Sequence, residues 1–180
     1  MHTAPYRRSY WVVPGKFLAG CYPSGQTPAS SAEKIQGLIK AGITDIVCLM
    51  EPTETNHDGR PFHDYLPPAK EAAAAVGREL RWSRHPIVDG SITTVEALGS
   101  ILDDIDTALQ RGGVVYAHCW GGRGRTGTVV CCWLIRHGLA APALAVDKMH
   151  ALIGDKIEDF RPTPENAKQR LFIEAWRHGQ

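Results

Sequence analysis

HCWGGRGRTGT, residues 118–128, places one cysteine and two arginines among four glycines. Glycine loses more conformational freedom on folding than any other residue, so ordinary packing does not explain such a run. The preceding GVVYAHC has the apolar, β-branched composition of a buried strand, and the following GRTGTVVCCWLIRHG has that of an apolar helix. The stretch is therefore predicted to be a turn between a strand and a helix N-terminus. Such a turn is either a flexible surface loop or a place where the backbone approaches a ligand closely.

The turn has the features of an anion site. A helix N-terminus presents unpaired N–H groups and a partial positive charge, and a glycine-rich turn before it adds further N–H groups that point inward. The Arg125 guanidinium adds a planar fork that suits two oxygens of a phosphate. We therefore predict a cradle for a tetrahedral oxyanion, built from Trp120, Gly121, Gly122, Arg123, Gly124 and Arg125. A nucleotide P-loop is excluded because no Gly-Lys is followed by Ser or Thr.

Cys119 stands at the edge of this cradle. Nearby arginines and a helix N-terminus lower a cysteine pKa from about 8.5 to about 3.5–7.5, so this thiol would be an anionic nucleophile toward a bound phosphorus. The Thr126 hydroxyl is predicted to hydrogen-bond the sulfur, and His118 is predicted to orient the loop rather than act as a base. The alternative for Cys119 is a buried structural cysteine, the usual role of a lone cysteine.

A phosphate monoester also needs a general acid for its leaving oxygen. Asp89, in HPIVDGSITT, follows a predicted strand at residues 82–88 and would lie at the same end of the sheet as the cradle. Asp89 is therefore a candidate for this acid. The alternative is that Asp89 begins a plain turn into the next helix, with Ser91 or Thr93 as the helix cap. Weaker candidates for the acid lie in the other long loop: Glu51, Glu54, Asp58 and Asp64.

Length and composition narrow the class of protein. The 180 residues, of which 43% are hydrophobic, are predicted to form a single domain, 1–180. A formal net charge of +1 gives no overall field for nucleic acid or an anionic membrane, and no apolar run is long enough to span one. We therefore expect no nucleic-acid or membrane partner. Five cysteines without a CxxC pair, and no apolar leader, favour a reducing, cytoplasmic location.

Strands and helices alternate along the sequence. Short strands are predicted at KFLAG, ITDIVCLM, LRWSRHPIV and GVVYAHC. Helices are predicted in SSAEKIQGLIKAG, at about residues 69–76, in SITTVEALGSILDDIDTALQRGG, and in three segments after the glycine-rich turn. Ser30 and Glu33 have capping-box spacing, which predicts that the first helix starts at Ser30. The alternation indicates an α/β architecture.

These residues together resemble the cysteine-dependent protein phosphatases of the dual-specificity group. Residues 118–126 match the HCx5R[ST] motif of that superfamily, and Asp89 lies 30 residues before Cys119, where the family has its mobile-loop acid. Within the group, GITDIVCLMEPTE, HPIVDGSITT and HCWGGRGRTG are most similar to the kinase-associated phosphatase branch. The resemblance implies the tyrosine-phosphatase-like fold, in which α-helices flank a central, mostly parallel β-sheet.

The resemblance also implies a reaction. A phosphocysteine would form at Cys119 and be hydrolysed by water with Asp89 as base, without a metal or a cofactor. The implied substrate is a phosphorylated protein or peptide, chiefly phosphotyrosine, and phosphate-like oxyanions (vanadate, tungstate, sulfate) would inhibit. Three alternatives stay open: a phosphoinositide, nucleotide or RNA 5′-phosphate as substrate, a non-catalytic phosphate-binding module, and a rhodanese-type sulfurtransferase.

Two loop residues depart from common family fillings. The phosphoinositide phosphatases of the superfamily can carry lysines at the positions of Trp120 and Arg123, and this chain has a basic residue at the second of them. Arg123 would therefore meet an extra phosphate or an acidic flank, or else be a solvated charge. Cys48 is either a buried core cysteine or the partner of Cys119 in a protective disulfide.

Four residues outside the motif have alternative roles. Gln169 is either a surface helix residue or positions a water at the site, and Arg161 either contacts the site from below or does not. His57 and His63 lack further ligands at metal spacing, so both are predicted to be exposed loop residues.

Overall fold

A five-stranded sheet forms the centre of the structure, a computed structural model that describes residues 3–25, 27–154 and 163–180. Its strands are ordered β1-β2-β5-β3-β4, with the bounds β1 Ser9–Val13, β2 Phe17–Gly20, β3 Asp45–Cys48, β4 Arg81–Arg84 and β5 Val115–His118. β1 is antiparallel to β2, and the other neighbouring strands run parallel. The predicted central, mostly parallel sheet is confirmed.

Helices cover both faces of this sheet. Their bounds are α1 Pro28–Lys40, α2 Leu66–Ala74, α3 Val95–Gln110, α4 Gly124–Arg136, α5 Ala145–Ile153 and α6 Ala167–Ala175. Successive side chains of a strand point to opposite faces. Ile46 and Tyr116 therefore pack with α1 and α2, whereas Val47 and Ala117 pack with α3, α4, α5 and α6. No helix within the described residues is long and apolar enough to cross a membrane.

The middle position belongs to β5, the strand before the glycine-rich turn. Its register pairs His118 with Gly20 of β2 on one side and with Cys48 of β3 on the other. The carboxyl ends of these three parallel strands meet at one edge of the sheet. The residues that follow β2 and β3 are thereby brought beside the residues that follow β5.

The strand β1 was not predicted, because its segment is rich in proline and glycine. Pro14 and Gly15 in fact form the turn that reverses the chain into β2, and Gly15 has φ +70°. The Lys16 amide closes the turn by donating to the Val13 carbonyl at 3.0 Å. Residues Ser9–Val12 are all buried, so both faces of this strand are covered. Its sequence therefore lacks the alternation of apolar and polar residues that marks a half-exposed strand.

The first helix begins earlier than predicted. Its N-cap is Thr27, whose hydroxyl accepts from the Ser30 amide at 3.2 Å, while the Ser30 hydroxyl accepts from the Thr27 amide at 3.1 Å. Ser30 is thus the last residue of a capping box rather than its first, and the predicted Ser30–Glu33 pairing is wrong. Pro28 at the first helical position fits because its missing N–H would be unpaired there anyway.

The segment that carries Asp89 contains less strand than predicted. β4 ends at Arg84, and residues 85–94 form the loop that leads to α3. The cap of α3 is Thr94, whose hydroxyl accepts from the Ala97 amide at 3.1 Å, so Ser91 and Thr93 were the wrong caps. The loop that carries Asp89, here called the acid loop, therefore continues for four residues after Gly90, to Thr94.

Candidate active site

The glycine-rich turn folds around the Cys119 sulfur at the end of β5. The Gly122 amide donates to Sγ at 3.3 Å, and Cys119 is 3% exposed. Gly122 has φ +75°, and a Cβ there would lie 2.6 Å from the carbonyl carbon of Gly20. Only glycine therefore fits this position, and the alternative of a flexible surface loop is wrong.

Arg125 is the most completely bound side chain of the site. Its Nη1 donates to Glu54 Oε2 at 2.6 Å and to the Ile87 carbonyl at 3.0 Å. Its Nη2 donates to Glu54 Oε1 at 2.8 Å and lies 2.7 Å from Asp89 Oδ1. Burial acts to lower the pKa of Arg125, but hydrogen bonding and charge from Glu54 and the other acidic neighbours outweigh it and raise the pKa. The guanidinium stays charged.

One donor of Arg125 remains for an oxyanion. Its Nε is buried and has no hydrogen-bond partner among the residues that the structure describes. A buried N–H without a partner is costly, so such a group indicates a ligand. The N-terminus of α4, which begins at Gly124, adds unpaired amides at the same place.

Asp89 reaches this arginine from the loop between β4 and α3. It lies in a turn closed by the Ser91 amide, which donates to the Val88 carbonyl at 3.0 Å. The turn and the catalytic assignment are therefore compatible, because the side chain of this turn residue faces Arg125. The Asp89 side chain is 53% exposed, so water can reach it.

His118 is a neutral ring in a chain of hydrogen bonds. The Trp82 Nε1 donates to the Tyr65 hydroxyl at 2.9 Å, and that hydroxyl lies 2.7 Å from His118 Nε2. Since an indole N–H can only donate, the tyrosine accepts it and donates its own proton to Nε2. His118 Nδ1 then carries the ring proton and donates to the Cys119 carbonyl at 3.2 Å. Burial lowers the pKa of His118 to about 3, which suits an orienting role rather than that of a base.

A family model described as "Swiss Army Knife protein, DSP-PTPase phosphatase domain" matches residues 6–169. The chain belongs to this phosphatase family. A protein of Invertebrate iridescent virus 3 named as a tyrosine phosphatase, 067L, is 30% identical over 181 residues, which is 92% of this chain and 64% of the viral protein. The human dual specificity protein phosphatase CDC14C is 28% identical over 134 residues, which is 71% of this chain and 26% of CDC14C.

Two solved structures share the fold. Kinase associated phosphatase, crystallised with serine in place of its catalytic cysteine, gives a TM-score of 0.71 at 18% identity and covers 96% of this chain and 94% of its own. PTPMT1 in complex with PI(5)P gives a TM-score of 0.63 at 17% identity and covers 93% of this chain and 95% of its own. The predicted resemblance to dual-specificity phosphatases, most like the kinase-associated branch, is confirmed.

In this phosphatase domain Glu54 has a place that sequence reasoning missed. It was a weaker candidate for the acid, but its side chain is 8% exposed and is hydrogen-bonded to Arg125 through both oxygens. A signal was available, because Glu54 follows a strand predicted to be parallel to the catalytic strand. Tyr65 was also missed, since nothing in the sequence links it to His118.

The predicted hydrogen bond from Thr126 to the sulfur is not formed. The Thr126 hydroxyl donates instead to the Gly20 carbonyl at 3.5 Å, and the sulfur accepts from the Gly122 amide. Thr126 is fully buried at the start of α4, where its side chain packs the catalytic loop against β2. Its contribution to the chemistry stays a prediction.

Arg123 of the phosphatase loop is buried, so its alternative as a solvated charge is wrong. It is 3% exposed, and its Nε lies 3.8 Å from Glu165 Oε1, an acidic residue of the same chain. A Cβ at Gly124 would collide with the Glu165 carboxylate. The loop therefore packs closely against the segment that precedes α6.

The backbone and the ring of Trp120 make separate contacts. Its carbonyl accepts from the Tyr22 amide at 2.9 Å, which ties the loop to the chain after β2. Its ring packs against His57, with centroids 4.4 Å apart, and against Phe62 at 5.3 Å. That Trp120, Gly121, Gly122, Arg123, Gly124 and Arg125 bind phosphate stays a prediction, and the Trp120 ring packs on the side of His57 and Phe62.

Gln169 is fully buried, so its alternative as a surface residue is wrong. Its Oε1 accepts from the Glu165 amide at 2.9 Å, and its Nε2 donates to the Ser91 carbonyl at 3.3 Å. The neighbouring Asn166 donates to the Gly90 carbonyl at 2.8 Å. The last helix therefore holds the loop that carries Asp89. Arg161 lies outside the described residues.

Cys48, His57 and His63 complete the residues that the sequence analysis considered. All five cysteines are free, and Cys48 is 2% exposed beside the catalytic strand; burial raises the pKa of the Cys48 thiol. A disulfide between Cys48 and Cys119 stays a prediction. His57 and His63 are exposed, as predicted, and no cluster of three or more His, Cys, Asp or Glu that could hold a metal occurs in the described part of the chain.

Proposed function

We propose that the protein hydrolyses phosphate monoesters without a metal, with phosphotyrosine in proteins as its main substrate. The observation that carries the proposal is that Asp89, from the loop between β4 and α3, meets Arg125 of the glycine-rich loop that also carries Cys119. The cradle there holds a buried donor without a partner among the described residues. The names of the relatives 067L and CDC14C support a phosphoprotein substrate. Because the chain spans 26% of CDC14C, that support concerns the catalytic domain.

In the first step the Cys119 thiolate attacks phosphorus. The S–P bond forms as the bond between phosphorus and the tyrosine oxygen breaks, and protonated Asp89 gives its proton to that oxygen. The Arg125 Nε and the loop amides would donate to the non-bridging phosphate oxygens, whose negative charge they offset. The products are the free tyrosine and a phosphocysteine.

In the second step a water molecule attacks the phosphocysteine. The Asp89 carboxylate accepts one proton from the water as its oxygen bonds to phosphorus, and the S–P bond breaks. Inorganic phosphate leaves, and Cys119 returns as a thiolate with Asp89 protonated. His118 holds the carbonyl of Cys119 throughout, which keeps the sulfur at one position relative to the cradle.

The cleft would also take phosphoserine and phosphothreonine. The sequence holds no segment that resembles the deep phosphotyrosine-recognition loop of the large tyrosine-specific enzymes, and a shallower cleft lets shorter side chains reach the sulfur. A phosphoinositide is the second candidate substrate, because PTPMT1 shares the fold and was crystallised with PI(5)P. Against it, the extra loop cation Arg123 already faces the carboxylate of Glu165.

The test is hydrolysis of p-nitrophenyl phosphate in EDTA by the wild type and Cys119→Ser, with Cys132→Ala as the control for loss of a cysteine. We expect turnover by the wild type and the control, and none by Cys119→Ser. Competitive inhibition by vanadate, tungstate and sulfate is expected, and Arg125→Lys should weaken it because lysine lacks the planar fork. A silent wild type that still binds tungstate would replace the proposal with a non-catalytic phosphate-binding module.

A further inference from the structure

A groove of about 860 Å³ lies beside the catalytic loop and has no part in the reaction above. We call it the lateral groove. The residues that line it include Arg8, Lys34, His57, Arg60, Phe62 and Trp120. It is partly open to solvent. Because Trp120 belongs to both the loop and the groove, a substrate bound at Cys119 would place its neighbouring groups in the groove.

The lateral groove has an excess of positive charge. Arg8, Lys34 and Arg60 line it, and none of them forms an ion pair with a carboxylate within the described residues. Among the described residues, Asp58 is the one carboxylate that also lines the groove. Since the chain's formal net charge is only +1, this excess is local.

Arg8 connects the groove to the catalytic loop. Its Nη2 donates to the Gly121 carbonyl at 3.1 Å, and its Nε is buried without a hydrogen-bond partner among the described residues. Arg8 also has φ +67°, a left-handed conformation that is uncommon for residues other than glycine. The fold thus holds a cation against the loop despite an unfavourable backbone conformation, and such outliers cluster at functional sites.

The walls of the groove are partly aromatic. Phe62 packs on Trp120 with ring centroids 5.3 Å apart, and Tyr22 packs on Phe62 at 4.9 Å. The Lys34 ammonium donates to the Ser24 carbonyl at 2.9 Å and lies 5.5 Å from the centre of the Tyr6 ring. Aromatic surface between cations suits a ligand that is both apolar and acidic, as a peptide chain with acidic side chains is.

We propose that the lateral groove binds an acidic side chain, a carboxylate or a second phosphate, on the same peptide as the phosphotyrosine. The proposal rests on the proposed function for the position of the phosphotyrosine. A groove that is partly open to solvent can hold part of a peptide chain, whereas a small headgroup would gain most from an enclosed pocket. Each partly exposed cation should contribute about a two- to fivefold preference for the acidic peptide.

The test measures binding to the Cys119→Ser protein, so that turnover does not interfere. Two fluorescent phosphotyrosine peptides are compared, identical except for glutamate or glutamine beside the phosphotyrosine. We expect the glutamate peptide to bind about five- to twentyfold more tightly, and Arg60→Gln to reduce that ratio about two- to fivefold. Arg60 is exposed and its side chain makes no hydrogen bond within the described residues, so this variant should fold normally. Lys40→Gln, at the exposed end of α1, is the matched control.

Equal affinities for the two peptides, or a ratio that Arg60→Gln and the Arg8→Gln/Arg60→Gln double variant leave unchanged, would overturn the proposal. Tighter binding of an inositol polyphosphate, lost in Arg60→Gln, would also overturn it and would assign the groove to a headgroup. Turnover of p-nitrophenyl phosphate by the wild type is measured separately. If the wild type shows no turnover but the protein still binds the glutamate peptide more tightly, the proposed phosphatase function is contradicted. The proposal for the lateral groove is then retained.

Discussion

Glu54 and Arg125 form a two-point ion pair, in which both carboxylate oxygens accept from the two terminal nitrogens of the guanidinium at 2.8 and 2.6 Å. The two side chains are 8% and 1% exposed. A bidentate pair fixes the plane of a guanidinium, and the plane fixes the direction of its Nε. Glu54 therefore fixes the direction of the buried Nε that we propose binds phosphate, and it is a positioning residue rather than a catalytic one.

Replacing Glu54 by glutamine should weaken phosphate binding. The amide NH2 cannot accept from Arg125, so one of the two hydrogen bonds is lost and the guanidinium can turn. We expect kcat/KM for p-nitrophenyl phosphate to fall about 10- to 100-fold, since small misplacements of catalytic groups cost that much. Tungstate affinity should fall with it. Glu51→Gln, in the same loop, is the control; unchanged tungstate affinity in Glu54→Gln would show that the pair is not needed for positioning.

Asp89→Asn should slow the enzyme according to the leaving group. General acid catalysis contributes about 10²- to 10⁴-fold where the leaving oxygen needs a proton. The loss should therefore be large for phenyl phosphate and phosphotyrosine and small for p-nitrophenyl phosphate, measured as kcat at pH 6. Asp147→Asn, on the exposed side of α5, should change neither rate. Equal losses for good and poor leaving groups would remove Asp89 from the role of acid.

His118 makes stability depend on pH. Its pKa is about 3 in the folded protein and about 6.5 in the unfolded chain, so unfolding takes up a proton between these values. The stability from the neutral ring is fully present above about pH 6.5 and is lost as the pH falls toward 3, by roughly 1 kcal/mol per pH unit. Urea unfolding at several pH values in this range should give a shallower slope for His118→Asn than for the wild type. His63→Asn, in an exposed loop, should keep the wild-type slope; a slope that His118→Asn leaves unchanged would contradict the assignment.

Gln169 should affect the chemical step through the acid loop. Gln169→Ala removes the hydrogen bond to the Ser91 carbonyl, so Asp89 loses part of its support. We expect kcat to fall about 5- to 20-fold for phenyl phosphate and less for p-nitrophenyl phosphate, because only the poor leaving group depends on the acid. Lys168→Ala, exposed on the same helix, is the control. A loss that is the same for both substrates would indicate a purely structural role.

The catalytic loop could be predicted because all of its chemistry lies within one continuous stretch. Strand, cysteine, glycine turn, arginine and helix follow one another in residues 115–136, so their spatial relation is set by local geometry. The position of Asp89 could also be predicted, because the carboxyl ends of parallel strands meet at one edge of the sheet. The alternation of strands and helices predicted an α/β architecture, and the resemblance to the family implied the sheet with flanking helices.

The partners of these residues could not be predicted in the same way. Glu54, Tyr65 and Gln169 act through hydrogen bonds to residues at least 50 positions away or in another loop, and such pairs depend on side-chain packing. The predicted cap of the first helix was wrong for a more local reason. Thr27 and Ser30 are both good caps, and only the backbone conformation at Thr27, which is extended, decides between them.

The place of β5 in the middle of the sheet has a consequence for motion. Amide protons of a strand that is paired on both sides exchange with solvent through openings close to global unfolding, whereas those of an exposed loop exchange through small local openings. Cys119 follows such a strand, and Asp89 lies in such a loop. We therefore expect the amides of the strand before the nucleophile to exchange more slowly than those of the loop that carries the acid. The reaction would then join a sulfur held by the centre of the sheet to a carboxyl group whose loop is held by a few hydrogen bonds from the last helix.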